Sequence, residues 1–583
     1  MRRTKIVCTI GPACDSPEKM EQMILAGMNV ARLNFSHGTH EEHFARLTLI
    51  RSTAEKLGVQ VAIMLDTKGP EIRTGVFPQG LMNLKNGDEV ILSHQGVCGE
   101  NRRITVTYEH IAEDVKPGDS VLLDDGKISL QVVQVNGEDV ICRVIVGGDL
   151  KDHKGVNIPG VSVKLPALTE KDIDDLRFGV ENGVDFIAAS FVRKADDVIN
   201  IRRIIEEGRG HAAIIAKIEH ADAVKNLDMI IEVADGVMVA RGDLGVEMPT
   251  EEVPILQKHI IAACNKAGKP VITATQMLES MIGNPRPTRA EANDVANAIF
   301  DGTDATMLSG ESAAGKYPVE AVTVMAKIAD RADRECDEKG QINLPIDRTS
   351  RMTAADAISH AACQGAHDLY AAAIITPTES GSTARMVAKY RPSMPVVAPS
   401  PNPVTCRQLS LVKGVFPIHV QRSNDTDTLI AEAVKAALSV ELIKPGDMTI
   451  ITAGVPFGVP GTTNLLKVHV AAEALTKGVG IGDHSAVGPV HLIRSESDLA
   501  AMTAGDIAVV FGVEAWNVDS LKLAAGMIAV ESGMTSSSAI AALHFRMPAI
   551  VGVPDAFDLL TEGCVVTIDA TRGIVYMGSA HVN

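Results

Sequence analysis

Aromatic residues make up only 3% of this 583-residue chain, and Trp516 is its single tryptophan. Its cores therefore have to be built from aliphatic side chains and alanine, which suits parallel strands buried on both faces beneath helices. Paired cysteine is missing too. The nine cysteines are scattered, with no CxxC pair and no ligand-like cluster, and an odd count argues against a disulfide framework. Cys8, Cys14, Cys264 and Cys363 lie in or beside apolar runs and read as buried reduced thiols, so a reducing cytoplasm is the expected compartment. No apolar run reaches the roughly 18–20 residues that span a bilayer. The first ten residues have too short an apolar stretch before Gly11-Pro12 to act as a leader, and read as a first β-strand. Positive charge is in deficit as well: the formal net charge is −18, which repels nucleic-acid phosphates and anionic lipid. Neither nucleic acid nor a membrane is an expected partner, whereas a small anion remains possible because a site can recruit metal ions.

What is present is a repeated pattern. A chain of this length exceeds what one hydrophobic core supports, so several domains are expected. Short aliphatic runs that end in polar residues and lead into helical stretches recur at Lys5–Ile10, Asn29–Phe35, Val61–Asp66, Val184–Phe191, Ala213–Glu219, Gly236–Arg241, Pro270–Thr275 and Ala305–Ser309. Helix starts are marked by Ser16-Pro17 and by capping boxes at Thr288–Glu291 and, more weakly, Thr169–Asp172. Eight such units predict a closed (β/α)8 barrel of parallel strands, with a long open doubly wound sheet as the alternative. In a barrel the active site lies at the C-terminal strand ends. Here those ends carry Arg32, Asn34, Ser36, Asp66, Lys217, Glu219, Asp243 and Thr275. Any one of them alone is most simply a solvated loop residue. Their convergence on one rim points to a polyanion bound through metal ions.

The barrel pattern breaks once, between Asp66 and about Thr169, where glycine, aspartate and alternating segments predict an inserted all-β domain that could close over the rim. Beyond about residue 340 strand-like and helix-like stretches alternate in a separate α/β domain. Its loop Thr378-Glu379-Ser380-Gly381-Ser382-Thr383 follows a strand and opens a helix, a place suited to phosphate or simply to helix capping. A last segment begins near residue 475.

Several blocks are similar to the signature segments of the pyruvate kinase family. They are Thr4–Pro12, Ala31–Gly38, Asp66–Arg73, Ala216–Glu219, Val239–Gly245 and Ala274–Met281, in the family's order over about residues 1–472. The resemblance implies a TIM barrel (1–69 and 167–340), an inserted β-barrel lid domain (70–166), an α/β C-terminal effector domain (341–474) and an extra domain (475–583). It further implies transfer of the phosphoryl group of phosphoenolpyruvate to ADP, with Mg²⁺ (or Mn²⁺) and K⁺ as cofactors and a homotetramer as the assembly. Carried over residue by residue, Glu219 and Asp243 would hold Mg²⁺, and Asn34, Ser36, Asp66 and Thr67 would hold K⁺. Glu71 matches the position that accompanies K⁺ dependence. Arg32, Arg73 and Lys217 match the cations around the moving phosphoryl group, and Thr275 sits near the carbon to be protonated. Backbone donors at Arg241, Gly242 and Asp243 would receive the substrate carboxylate, and His37, Lys154 and Arg73 would serve ADP or ATP. Thr378, Ser380, Gly381, Ser382 and Thr383 would form the phosphate loop for an allosteric effector. The segment Ser309–Lys316 departs from the pattern, with alanine where some relatives place a nucleotide-side lysine.

The extra segment resembles the swivelling phosphohistidine domain of phosphoenolpyruvate-utilising enzymes, best at Glu531–Ala539 and Met547–Val553. In those enzymes a histidine follows the Thr-Ser pair; here that place is Ser537, and the nearest histidine is His544. A structural or intersubunit role is therefore expected rather than phosphate carriage. For the same reason a synthase working through a phosphohistidine is disfavoured. A non-catalytic sensor using the 376–383 loop would need an eroded rim, and the rim residues are all present.

Overall fold

The computed structural model describes residues 1–161, 163–338, 352–422, 426–454, 462–472 and 474–580. The chain divides into two compact units. One comprises Met1–Asp347 with the short segments Ala388–Arg391 and Asn402–Pro417, and the other comprises Arg348–Val387, Pro392–Pro401 and Ile418–Asn583.

In the first unit eight parallel strands close into a barrel: β1 (Lys5–Thr9), β2 (Val30–Asn34), β3 (Ala62–Asp66), β4 (Phe186–Ala189), β5 (Ala213–Ile218), β6 (Gly236–Ala240), β7 (Val271–Ala274) and β8 (Ala305–Leu308). Every one of the eight predicted runs contains one of these strands, and each strand pairs with its sequence neighbours around the ring, β8 with β1. Closure rather than an open sheet follows from that last pairing. Side chains alternate along each strand. Val7, Val30, Ala62, Met64, Ala188, Ile215, Met238 and Met307 fill the interior, while Ile6, Cys8, Leu33, Ile63, Leu65 and Val239 face the surrounding helices. The helices begin where the polar caps stand: Ser16 accepts from Lys19, and reciprocal capping boxes form at Thr169/Asp172 and Thr288/Glu291.

The N-terminal ends of the strands are closed and charge-balanced. Leu411 joins the barrel interior. Arg391 lies 2.7 and 2.8 Å from the two carboxylate oxygens of Asp304, just before β8, and Arg407 Nε donates to Asp185, just before β4, at 2.6 Å.

The insertion after β3 is β-rich. Its strands form a six-stranded sheet ordered Val156–Asn157, Ser120–Leu123, Ile128–Asn136, Asp139–Val146, Glu89–Ser93, Arg103–Thr105, and a two-stranded sheet of Leu81–Leu84 with Gly148–Lys151. Gly69, at the junction with the barrel, has φ +75°, and a Cβ there would come within 2.7 Å of the Phe191 ring. Only glycine fits that turn without displacing a neighbour.

The second unit holds two sheets. Val396–Ser400, Ala373–Ile375, Met448–Gly454 and Thr463–Val470 run side by side in one of them, in that order. The other has eight strands, built from Ala474–Lys477 through Ile574–Met577. The expected domain boundary at 340/341 lies outside the described residues. The nine cysteines are all unpaired, and Cys8, Cys14, Cys264 and Cys363 are buried. Among the described residues no helix is long and apolar enough to cross a membrane.

Candidate active site at the C-terminal rim of the barrel

A chain of alternating charges crosses the floor of the rim. Arg32 Nε donates to Asp66 Oδ2 at 2.6 Å, and Lys217 Nζ donates to Asp66 Oδ1 at 3.0 Å. Lys217 Nζ also lies 2.9 Å from Glu219 Oε1. Strand geometry makes this possible. Residues two apart on a strand share a face, so Lys217 and Glu219 point the same way at the end of β5. Register places Asn34 of β2 directly beside Asp66 of β3. Asp66 and Glu219 are each 1% exposed.

Burial and neighbours set the ionisation of these groups. Burial pushes the Asp66 carboxyl up, but Arg32 and Lys217 outweigh it and hold it below its ordinary value. Burial acts on Lys217 in the opposite sense, yet Asp66 and Glu219 raise it further, so it stays a cation. Glu219 is raised, first by burial, with Lys217 opposing and Asp243 adding repulsion. Asp243, in the first turn of the helix Arg241–Glu247, is raised by burial and by Glu71, Asp125 and Asp66, with Lys217 opposing. Glu219 Oε2 accepts the Phe191 N–H at 2.7 Å, while the buried Oε1 has the Lys217 ammonium as its partner in an ion pair. Two crowded, repelled carboxylates beside a single ammonium form a donor set suited to a hard divalent cation. Among the described residues no group of three or more histidine, cysteine, aspartate or glutamate side chains is arranged for a metal, so remaining ligands would have to come from substrates or water.

Around the second candidate cation site, Asn34 Oδ1 accepts the Ser36 N–H at 3.2 Å, and Thr67 Oγ1 accepts the Ser190 N–H at 3.1 Å. These are neutral oxygens beside one carboxylate, chemically suited to a large monovalent ion.

Lid and barrel enclose a cavity of about 230 Å³, lined by Glu71, Arg73, Asp124, Asp125, Lys154, Asn157, Phe191, His220, Asp243 and Glu247 among others. Carboxylates outnumber cations in that lining, and both lid cations are engaged. Arg73 Nε donates to Glu71 at 2.7 Å, and Lys154 lies 2.7 Å from Asp124. His37 is exposed at the end of the β2 loop. Asn157 of the lid donates to Glu247 of the barrel at 2.9 Å.

Thr275 and Arg241 face each other across the ends of β7 and β6. Thr275 Oγ1 accepts the Gly242 N–H at 2.8 Å and donates to the Ala274 carbonyl at 2.6 Å. The Arg241 guanidinium turns toward the Ala274 and Thr275 carbonyls and Asp294.

Sequence reasoning missed Ser190 and Phe191. Ser190 Oγ accepts from Lys217 at 2.7 Å and donates to the Thr67 carbonyl at 2.6 Å, which ties the β3, β4 and β5 ends together. A serine at the end of β4 was the available signal, but such serines are common. Asp125, Asn157, His220 and Glu247 were missed because nothing in their local sequence marks a shared cavity.

In the second unit Thr378 Oγ1 accepts the Gly381 N–H at 3.0 Å in a turn where Gly381 has φ +78°, and the helix Ser382–Ala388 follows. Thr383 Oγ1 lies 2.9 Å from Thr463 Oγ1, and Ser380 is exposed. In the tail, Ser537 opens the helix Ser537–Phe545, and Glu531 accepts both the N–H and the hydroxyl of Ser537 and of Ser538, at 2.8–3.2 Å. His544 stands in the last turn of that helix, about 10 Å along the axis from Ser537.

Family comparisons agree with this layout. Residues 1–322 match the model for the pyruvate kinase barrel domain, 356–469 that for the pyruvate kinase alpha/beta domain, and 502–573 that for the mobile domain of PEP-utilising enzymes. The pyruvate kinase of Geobacillus stearothermophilus is 51% identical over 585 residues and that of Bacillus licheniformis 50% over 586, each match covering both chains in full. A crystal structure of a pyruvate kinase from Cryptosporidium parvum superposes with a TM-score of 0.77 at 40% identity, covering 81% of this chain and 96% of the other.

Proposed function

The chain belongs to the pyruvate kinase family and is a phosphotransferase; on that premise we propose that it moves the phosphoryl group of phosphoenolpyruvate to ADP, giving pyruvate and ATP, with Mg²⁺ (or Mn²⁺) and K⁺ required. The observation that supports the metal requirement is the pair of buried, mutually repelling carboxylates Glu219 and Asp243, both raised, with Lys217 as the cation opposing them. Glu219 and Asp243 would hold the divalent ion, and Asn34, Ser36, Asp66 and Thr67 the K⁺. When bound, these ions supply positive charge against the carboxylate and phosphoryl oxygens of the substrates.

The chain's own groups then have defined tasks. A β-phosphate oxygen of ADP forms its bond to phosphorus as the bond from phosphorus to the enol oxygen breaks. Arg32, Arg73 and Lys217 face the oxygens that gain charge in that step, and a positioned cation there is worth far more than in water. The Lys217 ammonium remains beside the departing enolate oxygen. A proton then adds to the methylene carbon, with Thr275 orienting the water or relay that delivers it. Replacing Thr275 should slow this ketonisation more than phosphoryl transfer; equal loss in both steps counts against the role. The substrate carboxylate would compete with Thr275 for the Gly242 N–H, alongside the N–H groups of Arg241 and Asp243. Nucleotide phosphates would take over Arg73 and Lys154 from Glu71 and Asp124, with His37 on the same side.

The 378–383 turn, through Thr378, Ser380, Gly381, Ser382 and Thr383, serves as the phosphate-binding loop for a phosphorylated metabolite in this reading, within a homotetramer. The domains run 1–69 with 167–340, 70–166, 341–474 and 475–583, the last with a structural role. The test is pyruvate formation from phosphoenolpyruvate and ADP with Mg²⁺, in K⁺ and then in Na⁺. Turnover that falls sharply in Na⁺ is expected. No turnover by the wild-type chain, with or without sugar phosphates, overturns the reading.

A further inference from the structure

The loop after β7 holds two consecutive non-glycine residues in left-handed backbone, Thr275 at φ +67° and Gln276 at φ +53°. For a β-branched residue that conformation is an outlier, and it persists only where the surroundings over-determine it. Arg241, at the end of the neighbouring β6, provides that constraint. Its Nη2 donates to the Thr275 carbonyl at 2.7 Å and its Nε reaches the Ala274 carbonyl at 3.3 Å. The opposite corner, Nη1, is anchored on Asp294 at 2.8 Å and on Gln257 at 3.4 Å. A planar fork can span two successive carbonyls while tied at its back; a lysine ammonium cannot. The coupling is reciprocal, because the Thr275 hydroxyl in turn holds the backbone N–H of Gly242.

We propose that Arg241 is a positioning residue for the protonation of the enolate. It straps the left-handed turn in place and so holds the Thr275 hydroxyl where it can orient the water or relay that protonates the carbon, with its own guanidinium turned to the Ala274 and Thr275 carbonyls and Asp294. This rests on the reading of Thr275 given above.

The test uses the full chain as wild type, Arg241→Lys, Thr275→Gly and the double variant. Two rates are read on each: exchange of pyruvate methyl hydrogens with deuterated solvent in the presence of ATP and Mg²⁺, and single-turnover ATP formation from phosphoenolpyruvate and ADP. Arg241→Lys should cut methyl exchange roughly a hundredfold, the scale of a misplacement of about 1 Å, and slow ATP formation by less than about tenfold. In the Thr275→Gly background the lysine change should add less than about twofold, since glycine holds the turn unaided and the hydroxyl is already gone. Equal loss in both rates, or additive losses in the double variant, overturns the strap. Wild-type exchange in Thr275→Gly overturns the Thr275 reading, and the strap with it, whatever Arg241→Lys does. Asp294→Asn, which loosens only the anchor of the fork, gives a second route should Arg241→Lys not fold. A selective fall in exchange supports the strap, and unchanged exchange overturns it.

Discussion

Glu219 on the barrel rim and Glu531 in the tail are both carboxylates at a junction between a strand and a following helix, and they are treated in opposite ways. Glu531 accepts four hydrogen bonds from Ser537 and Ser538, which outweigh a burial effect and hold its carboxyl below its ordinary value. Glu219 is more deeply buried, shares its Oε1 with Lys217 in an ion pair and is pushed up by burial and Asp243. Burying one carboxylate beside another costs stability, and a bound cation would offset that cost. The contrast separates a crowded pair of carboxylates, proposed above as a cation site, from a helix terminus whose anion is supplied by the chain itself.

The sharpest way to break the comparison is at the lysine between the rim carboxylates. Lys217→Met should lower pyruvate formation by about 10³–10⁵, the range seen when a cation facing a transferring phosphoryl group is lost; retained turnover would mean that the chemistry lies elsewhere. Glu219→Gln should raise the Mg²⁺ concentration needed for half-maximal activity more than about a hundredfold, beyond the loss of an outer-shell partner. It should also abolish any rise of Tm with added Mg²⁺, because only binding to the folded state stabilises. Glu531→Gln should cost about 1–2 kcal/mol in the tail, the value of a charged N-terminal cap, with catalysis within twofold of wild type. Hydrogen exchange across residues 537–545 reads that loss, and unchanged protection would show the four hydrogen bonds to be idle. Because the folded Glu531 carboxyl titrates below the unfolded one, its contribution is complete above the ordinary carboxylate range and disappears as pH falls through the lowered value. Protection of the same helix should therefore fade below about pH 4 in wild type but not in the glutamine variant. Finally, radiolabelled phosphoenolpyruvate should leave no acid-stable label on Ser537. A label there would make the tail a phosphate carrier after all.

Legibility differed between the two regions for a physical reason. Each barrel strand announces itself by a continuous aliphatic run, because it is buried on both faces, and the polar residues toward its C-terminal end identify rim positions. Arg32, Asp66, Lys217 and Glu219 were all visible in this way, as was the replacement of histidine by Ser537. Glu531 stands out in the sequence only as the first residue of a resembling block, and its bonds to Ser537 and Ser538 depend on a loop that folds back over six and seven residues. Ser190 and Phe191 were passed over for a related reason: their partners lie on β3 and β5, remote in sequence.

By itself the sequence determined the eight strands, the helix caps, the lid insertion and the charges that the rim would carry, since all of these are written in local periodicity and in residue type. Only the tertiary structure decided which of those charges are satisfied. The register of β2 on β3, and of β4 between β3 and β5, brings Arg32, Asp66, Lys217 and Glu219 into one chain of ion pairs. Satisfaction of a buried polar atom is a matter of distances between residues far apart in the chain, and distances of that kind exist only once the backbone has closed.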